Sequence, residues 1–168
     1  MMSDTASLAG LSANTATDPP LELLFPAEAP DLRQSSPHVV EFDRFVSRFG
    51  GSARRQSLLA SLGAHLGHLR QSGVAPVCLL VGGGFVGPNA APGDLDGLLA
   101  YRLSADIDPA SGVAAMRCRV PGLDLRFVPV DGAPEMLIKM ACFFHTLYQS
   151  RDKGMARPSF LIPLRCQK

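Results

Sequence analysis

The sequence has 168 residues and a mass of 17.8 kDa, the size of one domain with room for a terminal tail. Its apolar fraction of 46% is enough for a hydrophobic core and excludes a chain that is disordered throughout. A formal net charge of +1 argues against nucleic-acid binding by bulk charge alone. Four widely spaced cysteines without a C-x-x-C pair fit neither a disulfide framework nor a zinc site, so we predict reduced thiols and a cytoplasmic location.

The N-terminal part differs from the rest in composition and charge. Residues 1–18 are small and polar without periodicity and predict a disordered tail, whereas residues 19–37 predict a Pro-rich extended arm. The first 32 residues contain five acids and no Lys or Arg, a local charge of −5. Residues 38–168 form the predicted domain. Its longest uncharged central stretch is too short and too broken by Pro and Gly to span a membrane, so we expect no membrane partner.

Two helices open the predicted domain. The first covers about residues 39–49, and its phenylalanines pack either in the core or against a second copy in a homodimer. The second runs from the N-cap Ser52 to about Gln71, and its leucines recur at three- and four-residue spacing as one buried stripe. His65 and His68 are spaced as a metal pair, but surface histidines are the interpretation we favour.

The remainder alternates between strand and helix patterns. We predict a buried strand at 77–81, a Gly-rich turn at 82–87, strands at 94–103, 113–120 (weak), 123–130 and 160–162, a turn at 106–112, and a helix at 134–148. This order predicts an α/β (α+β) domain in which a small mixed, mainly antiparallel sheet has its helices packed on one face.

Three acidic residues are candidates for a metal site. Asp94 and Asp96 lie two apart on one predicted strand and therefore share a face, and Asp124 lies in another predicted strand. Carboxylates buried side by side repel unless a cation neutralises them, and oxygen ligands suit Mg²⁺ or Mn²⁺, including two-metal sites for displacement at phosphorus. In the alternative interpretation Asp94 caps a turn, Asp96 lies at a wet strand end and Asp124 pairs with Arg126.

The turn at 82–87 matches G-x-G-x-x-G after a strand. In dinucleotide-binding folds this fingerprint opens a helix that holds the pyrophosphate, but Pro88, Pro92 and Gly93 prevent such a helix here, so we reject that fold. The glycines fit either a backbone nest for a phosphate or a plain tight turn.

The strand, the Gly-Gly turn, the Asp-x-Asp strand and the later strand with a third acid resemble the polymerase-beta-type nucleotidyltransferase fold. The run from Leu80 to Val86, followed by Pro92-Gly93-Asp94-Leu95-Asp96, is similar to the short bacterial nucleotidyltransferase-like proteins of unknown function. The similarity spans roughly residues 20–164. This chain has Gly84 at the position of the family's turn serine, and Gly97 where a β-branched residue usually follows the second acid.

The resemblance implies a metal-dependent enzyme that transfers a nucleotidyl group from an NTP, ATP foremost, to an unknown acceptor: a protein, an RNA or a small molecule. It assigns Asp94, Asp96 and Asp124 to catalysis and to Mg²⁺ or Mn²⁺, with Asp124 also activating the acceptor hydroxyl. Gly83 and Gly84 would hold the triphosphate, and its charge would be neutralised by Lys139, Arg151 or Lys153. The alternative is a catalytically silent relative that acts as a binding or regulatory protein, such as a toxin–antitoxin or defence component.

Overall fold

A computed structural model describes residues 36–105, 108–149 and 157–164. The predictions for the tail at 1–18, for the arm up to residue 35, and for Arg151 and Lys153 lie outside these residues. The elements in chain order are β1 (His38–Val39), α1 (Phe42–Phe49), α2 (Ala53–Gln71), β2 (Val74–Gly82), β3 (Leu95–Leu103), α3 (Pro109–Arg117), β4 (Leu123–Pro129), α4 (Pro134–Gln149) and β5 (Phe160–Pro163).

These strands form a mixed sheet in the order β1-β5-β2-β3-β4. In its centre β2 pairs antiparallel with both β3 and β5, while β1 pairs parallel with β5 and β4 pairs parallel with β3. The predicted mixed α/β class is thus confirmed. Within the described residues β3 is the only strand that pairs with β4, so β4 forms one edge of the sheet.

Helices cover both faces of the sheet, although the prediction placed them on one face. The side chains of α1, α2 and α3 pack with one apolar cluster, whereas α4 packs on the opposite face over Leu80, Leu98 and Val128. The reason lies in the central strands, which carry apolar residues at consecutive positions rather than at alternate ones. Such strands present apolar side chains to both faces, and both faces then need cover.

The second helix follows its sequence signals closely. It begins at the N-cap Ser52, whose Oγ accepts a hydrogen bond from Arg55 N at 3.3 Å, and its leucine stripe is buried. The rings of Phe45, Phe49 and Phe160 lie within about 6 Å of one another, so the phenylalanines of α1 pack in the core of this chain. His65 is buried as well, with only 6% of its surface exposed, which corrects the expectation of a surface histidine.

One predicted element is of the wrong type. Residues 113–120 were expected to form a weak strand, but α3 occupies most of them and begins earlier, in the segment expected to be a turn. Asp108 caps this helix by accepting a hydrogen bond from Ala110 N at 3.2 Å, and Pro109 occupies its first turn, where a missing N–H costs nothing. None of the helices in the described ranges is both long and apolar enough to cross a bilayer.

Candidate functional site

A row of three residues crosses the sheet where β2 ends and β3 and β4 begin. Gly82 is paired with Asp96 across β2 and β3, and Asp96 is paired with Asp124 across β3 and β4. Partners in register lie on the same face of neighbouring strands, which run about 4.8 Å apart. Asp96 and Asp124 are therefore direct neighbours on one face of the sheet.

Asp94 lies just before β3 and is exposed. Within the described residues, no three side chains of His, Cys, Asp or Glu form a group that could hold a metal ion. Proteins commonly hold Mg²⁺ with one or two carboxylates and let phosphate oxygens and water complete the shell. Asp96 and Asp124, which are in register, are the two carboxylates here that could serve as such a pair of ligands.

The Gly-rich turn contacts this acid pair directly. Gly83 has a φ of +66°, and a Cβ atom on it would come within 2.5 Å of Asp96 Oδ2, so the carboxylate lies against the backbone of the turn. Gly87 N donates a hydrogen bond to Gly84 O at 3.2 Å, which makes residues 84–87 a tight turn. A Cβ atom on Gly84 would meet nothing within 4 Å.

The first turn of α2 holds the Gly-rich turn and the loop that follows it. The buried guanidinium of Arg55 donates hydrogen bonds to Phe85 O at 2.5 Å, Gly87 O at 2.6 Å and Asn89 O at 2.8 Å. Its Cζ also lies 5.2 Å from the centre of the Phe85 ring. Arg55 thus connects the helix to residues 85, 87 and 89. The sequence gives no signal of this role, because these contacts join residues about 30 positions apart.

Two neighbours of Arg55 extend this attachment toward the acids. Ser52 Oγ donates to Ala90 O at 2.5 Å, and Arg54 donates to Pro92 O at 3.1 Å and also to Gly93 O. The backbone that leads into Asp94 is therefore held by side chains of α2. This arrangement fixes the spacing between the turn and β3.

A family comparison can be set beside this geometry. The sequence model of DUF6932, described as a family of unknown function, matches residues 21–157. The chain belongs to the DUF6932 family. No curated protein and no solved structure matches the chain.

The basic residues expected to neutralise a triphosphate in this DUF6932 chain do not lie together at the Gly-rich turn among the described residues. Lys139 is exposed on α4, about 14 Å along the helix axis from Tyr148, whose ring contacts Gly82. Arg151 and Lys153 lie outside the described residues. Arg157, which the sequence analysis did not select, lies beside the Gly-rich turn, since a Cβ atom on Gly87 would be 3.4 Å from its Cζ.

Two further side chains contact the row formed by Gly82, Asp96 and Asp124. The ring of Tyr148 is buried and lies directly over Gly82, where any Cβ atom would collide with it. Arg126 Nη2 lies 3.2 Å from Asp124 Oδ1. This ion pair is the one named in the alternative interpretation of Asp124, and both its side chains are at least half exposed.

Proposed function

We propose that this protein is a metal-dependent nucleotidyltransferase that uses an NTP, with ATP as the first candidate. The observation that supports it most is the register of Asp96 with Asp124 beside the Gly83 turn. Carboxylates suit the cation of a triphosphate, and a Gly-rich turn beside them suits its phosphate oxygens. We also propose a cytoplasmic location, because NTPs are abundant there and the cysteines are expected to be reduced.

The proposed reaction is an in-line displacement. The oxygen of an acceptor hydroxyl attacks the α-phosphorus, the bond from that phosphorus to the bridging β-oxygen breaks, and pyrophosphate leaves. Asp124 takes the proton of the hydroxyl. Asp94 and Asp96 would hold Mg²⁺ or Mn²⁺, which would supply charge neutralisation at the phosphate oxygens.

Binding of the triphosphate would rest on the turn and on nearby cations. Gly83 and Gly84 offer backbone N–H groups, and the absence of any neighbour within 4 Å of a Cβ on Gly84 leaves room for a phosphate there. Arg157, close to Gly87, is a better placed cation than Lys139. Arg151 and Lys153 remain candidates from the sequence.

The ion pair between Asp124 and Arg126 favours a second candidate function. A carboxylate that already has a cationic partner is less available as a metal ligand, and Gly84 lacks the hydroxyl of the family's serine. A catalytically silent protein that binds or regulates a partner would retain the fold with such changes. Toxin–antitoxin and defence components belong to this class.

Calorimetric titration of the purified protein with ATP, in the presence and absence of Mg²⁺, tests the proposal. We expect metal-dependent binding that weakens by about tenfold or more in Asp124→Asn and in the Asp94→Asn, Asp96→Asn double variant, since charge-assisted contacts are lost. Asp131→Asn is the matched control, because Asp131 is 65% exposed in a surface ion pair with Arg102. If ATP, GTP, CTP and UTP all fail to bind the unaltered protein, the second candidate is favoured instead.

Gly84→Ser gives the test a gain-of-function arm. The open space around Gly84 accommodates the hydroxymethyl group without displacing a neighbour. We expect tighter binding of Mg²⁺ and ATP, because the hydroxyl adds a donor to the phosphate site. Gly84→Ala adds the Cβ without the hydroxyl and serves as its control, so equal affinities in the two variants would contradict a phosphate at this turn.

A further inference from the structure

A groove lies along the free edge of β4, on the far side of this strand from β3. It has a volume of about 590 Å³. Its walls are the end of α3, the segment that leads from α3 into β4, and β4 itself, and the buried His65 of α2 also lines it. We call it the β4 groove.

Among the described residues, no strand pairs with the side of the β4 backbone that faces this groove. Leu95 N donates to Gly122 O at 2.9 Å, and Val130 N donates to Tyr101 O at 3.0 Å. In a parallel ladder, alternate residues direct both their N–H and their C=O to the neighbouring strand. The even-numbered residues of β4 therefore face β3, and the N–H and C=O groups of Leu125 and Phe127 are directed into the groove.

The side chains of β4 alternate in the same register. Leu123, Leu125 and Phe127 face the apolar cluster beneath α2 and α3. On the other face are Asp124 and Arg126. A strand that extends the sheet at this edge continues both rows, so it needs apolar side chains at alternate positions and polar ones between them.

Positive charge surrounds the groove. Three exposed arginines line it, at positions 117, 119 and 126, against one acid, Asp124. Exposed edge strands attract added strands through their backbone groups, and neighbouring charges select which strand is accepted. The groove is therefore suited to an extended segment that carries negative charge.

We propose that residues 21–25 of this same chain bind in the β4 groove as an added strand. Their sequence, Leu-Glu-Leu-Leu-Phe, lies between Pro20 and Pro26 and contains no proline, so each residue has a backbone N–H to donate. Leu21, Leu23 and Phe25 continue the apolar row. Glu22 falls on the opposite face, the face of Arg126.

The charge of the segment matches the groove. Of the five acids in residues 1–32, Glu22 is the one within residues 21–25, and the groove has an excess of arginine. Glu22 lies on the face of Arg126, so no acid of the segment lies among the apolar side chains of the groove. The family match begins at residue 21, so this segment belongs to the part of the chain that the family shares.

The connection is long enough. The described chain begins at Ser36, which is tied to Ser159 next to β5 through a hydrogen bond of 2.7 Å from Ser159 N to Ser36 Oγ. The sheet is five strands wide, so its two edges are about 19 Å apart. The eleven residue steps from Phe25 to Ser36 span up to about 36 Å. This inference does not depend on nucleotidyl transfer.

Amide hydrogen exchange of the full-length protein tests the inference, with Leu125 and Phe127 as reporters. In the unaltered protein their amides are protected, and Leu23→Asp reduces this protection by about tenfold or more, because a charge cannot enter the apolar row. Leu24→Asp is the matched control, since this position shares the polar face with Glu22 and leaves the protection within about twofold. Equal loss in both variants would overturn the proposal.

A charge exchange gives a second, independent arm. Arg126→Glu alone lowers the protection of the reporters, and Glu22→Arg combined with it restores the protection. A general loss of stability in β4 would not be reversed by a substitution at residue 22. If deleting residues 1–30 leaves the reporters unchanged and alters exchange in α4 instead, the segment binds the exposed apolar face of that helix and the proposal fails. Protection that disappears on dilution indicates pairing with a second copy and also overturns it.

Discussion

The carboxylate of Asp96 lies against the backbone of Gly83, so that a Cβ atom on this glycine would come within 2.5 Å of Asp96 Oδ2. Asp96 lies in β3 and Gly83 is the first residue of the turn after β2. Only a residue without a side chain at position 83 permits this approach. The contact joins the Gly-rich turn to the acid row and makes the conformation of one depend on the position of the other.

Gly83→Ala is expected to destabilise the protein. Its φ of +66° is unfavourable for a residue with a side chain, and the added methyl group must displace the Asp96 carboxylate. Together these effects cost about 1–3 kcal/mol in the free energy of unfolding, measured by urea denaturation. Gly84→Ala is the control, since its Cβ meets nothing within 4 Å, and a cost equal to that of Gly83→Ala would contradict the contact.

Arg55→Met should lower the free energy of unfolding by about 2–4 kcal/mol. The substitution leaves three carbonyls of residues 85–89 without their buried donor while preserving the length of the side chain. Chemical denaturation measures the loss, and Arg70→Ala, an exposed arginine of the same helix, provides the comparison. Similar small effects of both substitutions would show that Arg55 does not hold the loop.

Stability should decrease as the pH is lowered, in part because of His65. Burial lowers the pKa of His65 below its ordinary value of 6.5, and the neighbouring His68 lowers it further. The unfolded chain therefore binds a proton more readily than the folded one, so the contribution is fully present above about pH 6.5 and is lost as the pH falls toward the folded pKa. The charged side chains around its cavity include Arg117, Asp124 and Arg126.

His65→Leu removes this titration and keeps an apolar side chain of similar size. We expect a smaller difference between the unfolding free energies at about pH 7.5 and about pH 5.5 than in the unaltered protein. His145→Gln is the comparison at a half-buried histidine of α4, whose Nδ1 lies 2.8 Å from Ser159 Oγ. An unchanged pH profile in His65→Leu would contradict the role of this burial.

The thiols should differ in reactivity. Burial raises the pKa of Cys78, whereas Cys118 and Cys142 are exposed. Since the thiolate is the reactive form, a thiol reagent at about pH 8 should modify Cys118 and Cys142 at least about tenfold faster than Cys78. Mass spectrometry of a Cys166→Ser variant measures this without the fourth cysteine, which lies outside the described residues. Equal rates would mean that the central strand opens readily.

Local features were predictable where neighbouring residues decide them. The hydroxyl of Ser52 caps α2 from a position that a capping rule identifies, and the leucine stripe of this helix is visible as a period. The same rules, applied to Asp108 and Pro109, would have predicted α3 rather than a turn and a weak strand.

The chain order of residues by itself determined that Asp96 and Asp124 lie in strands, that 83–87 form a turn rather than a helix start, and that most helices lie where their apolar periods indicate. These features depend on contacts a few residues apart. Only the tertiary structure placed Asp124 beside Asp96, buried His65, put α4 on the second face and brought Arg55 to three carbonyls of one loop. Each of these depends on which elements become neighbours. Contacts between elements distant in sequence leave no local period to detect.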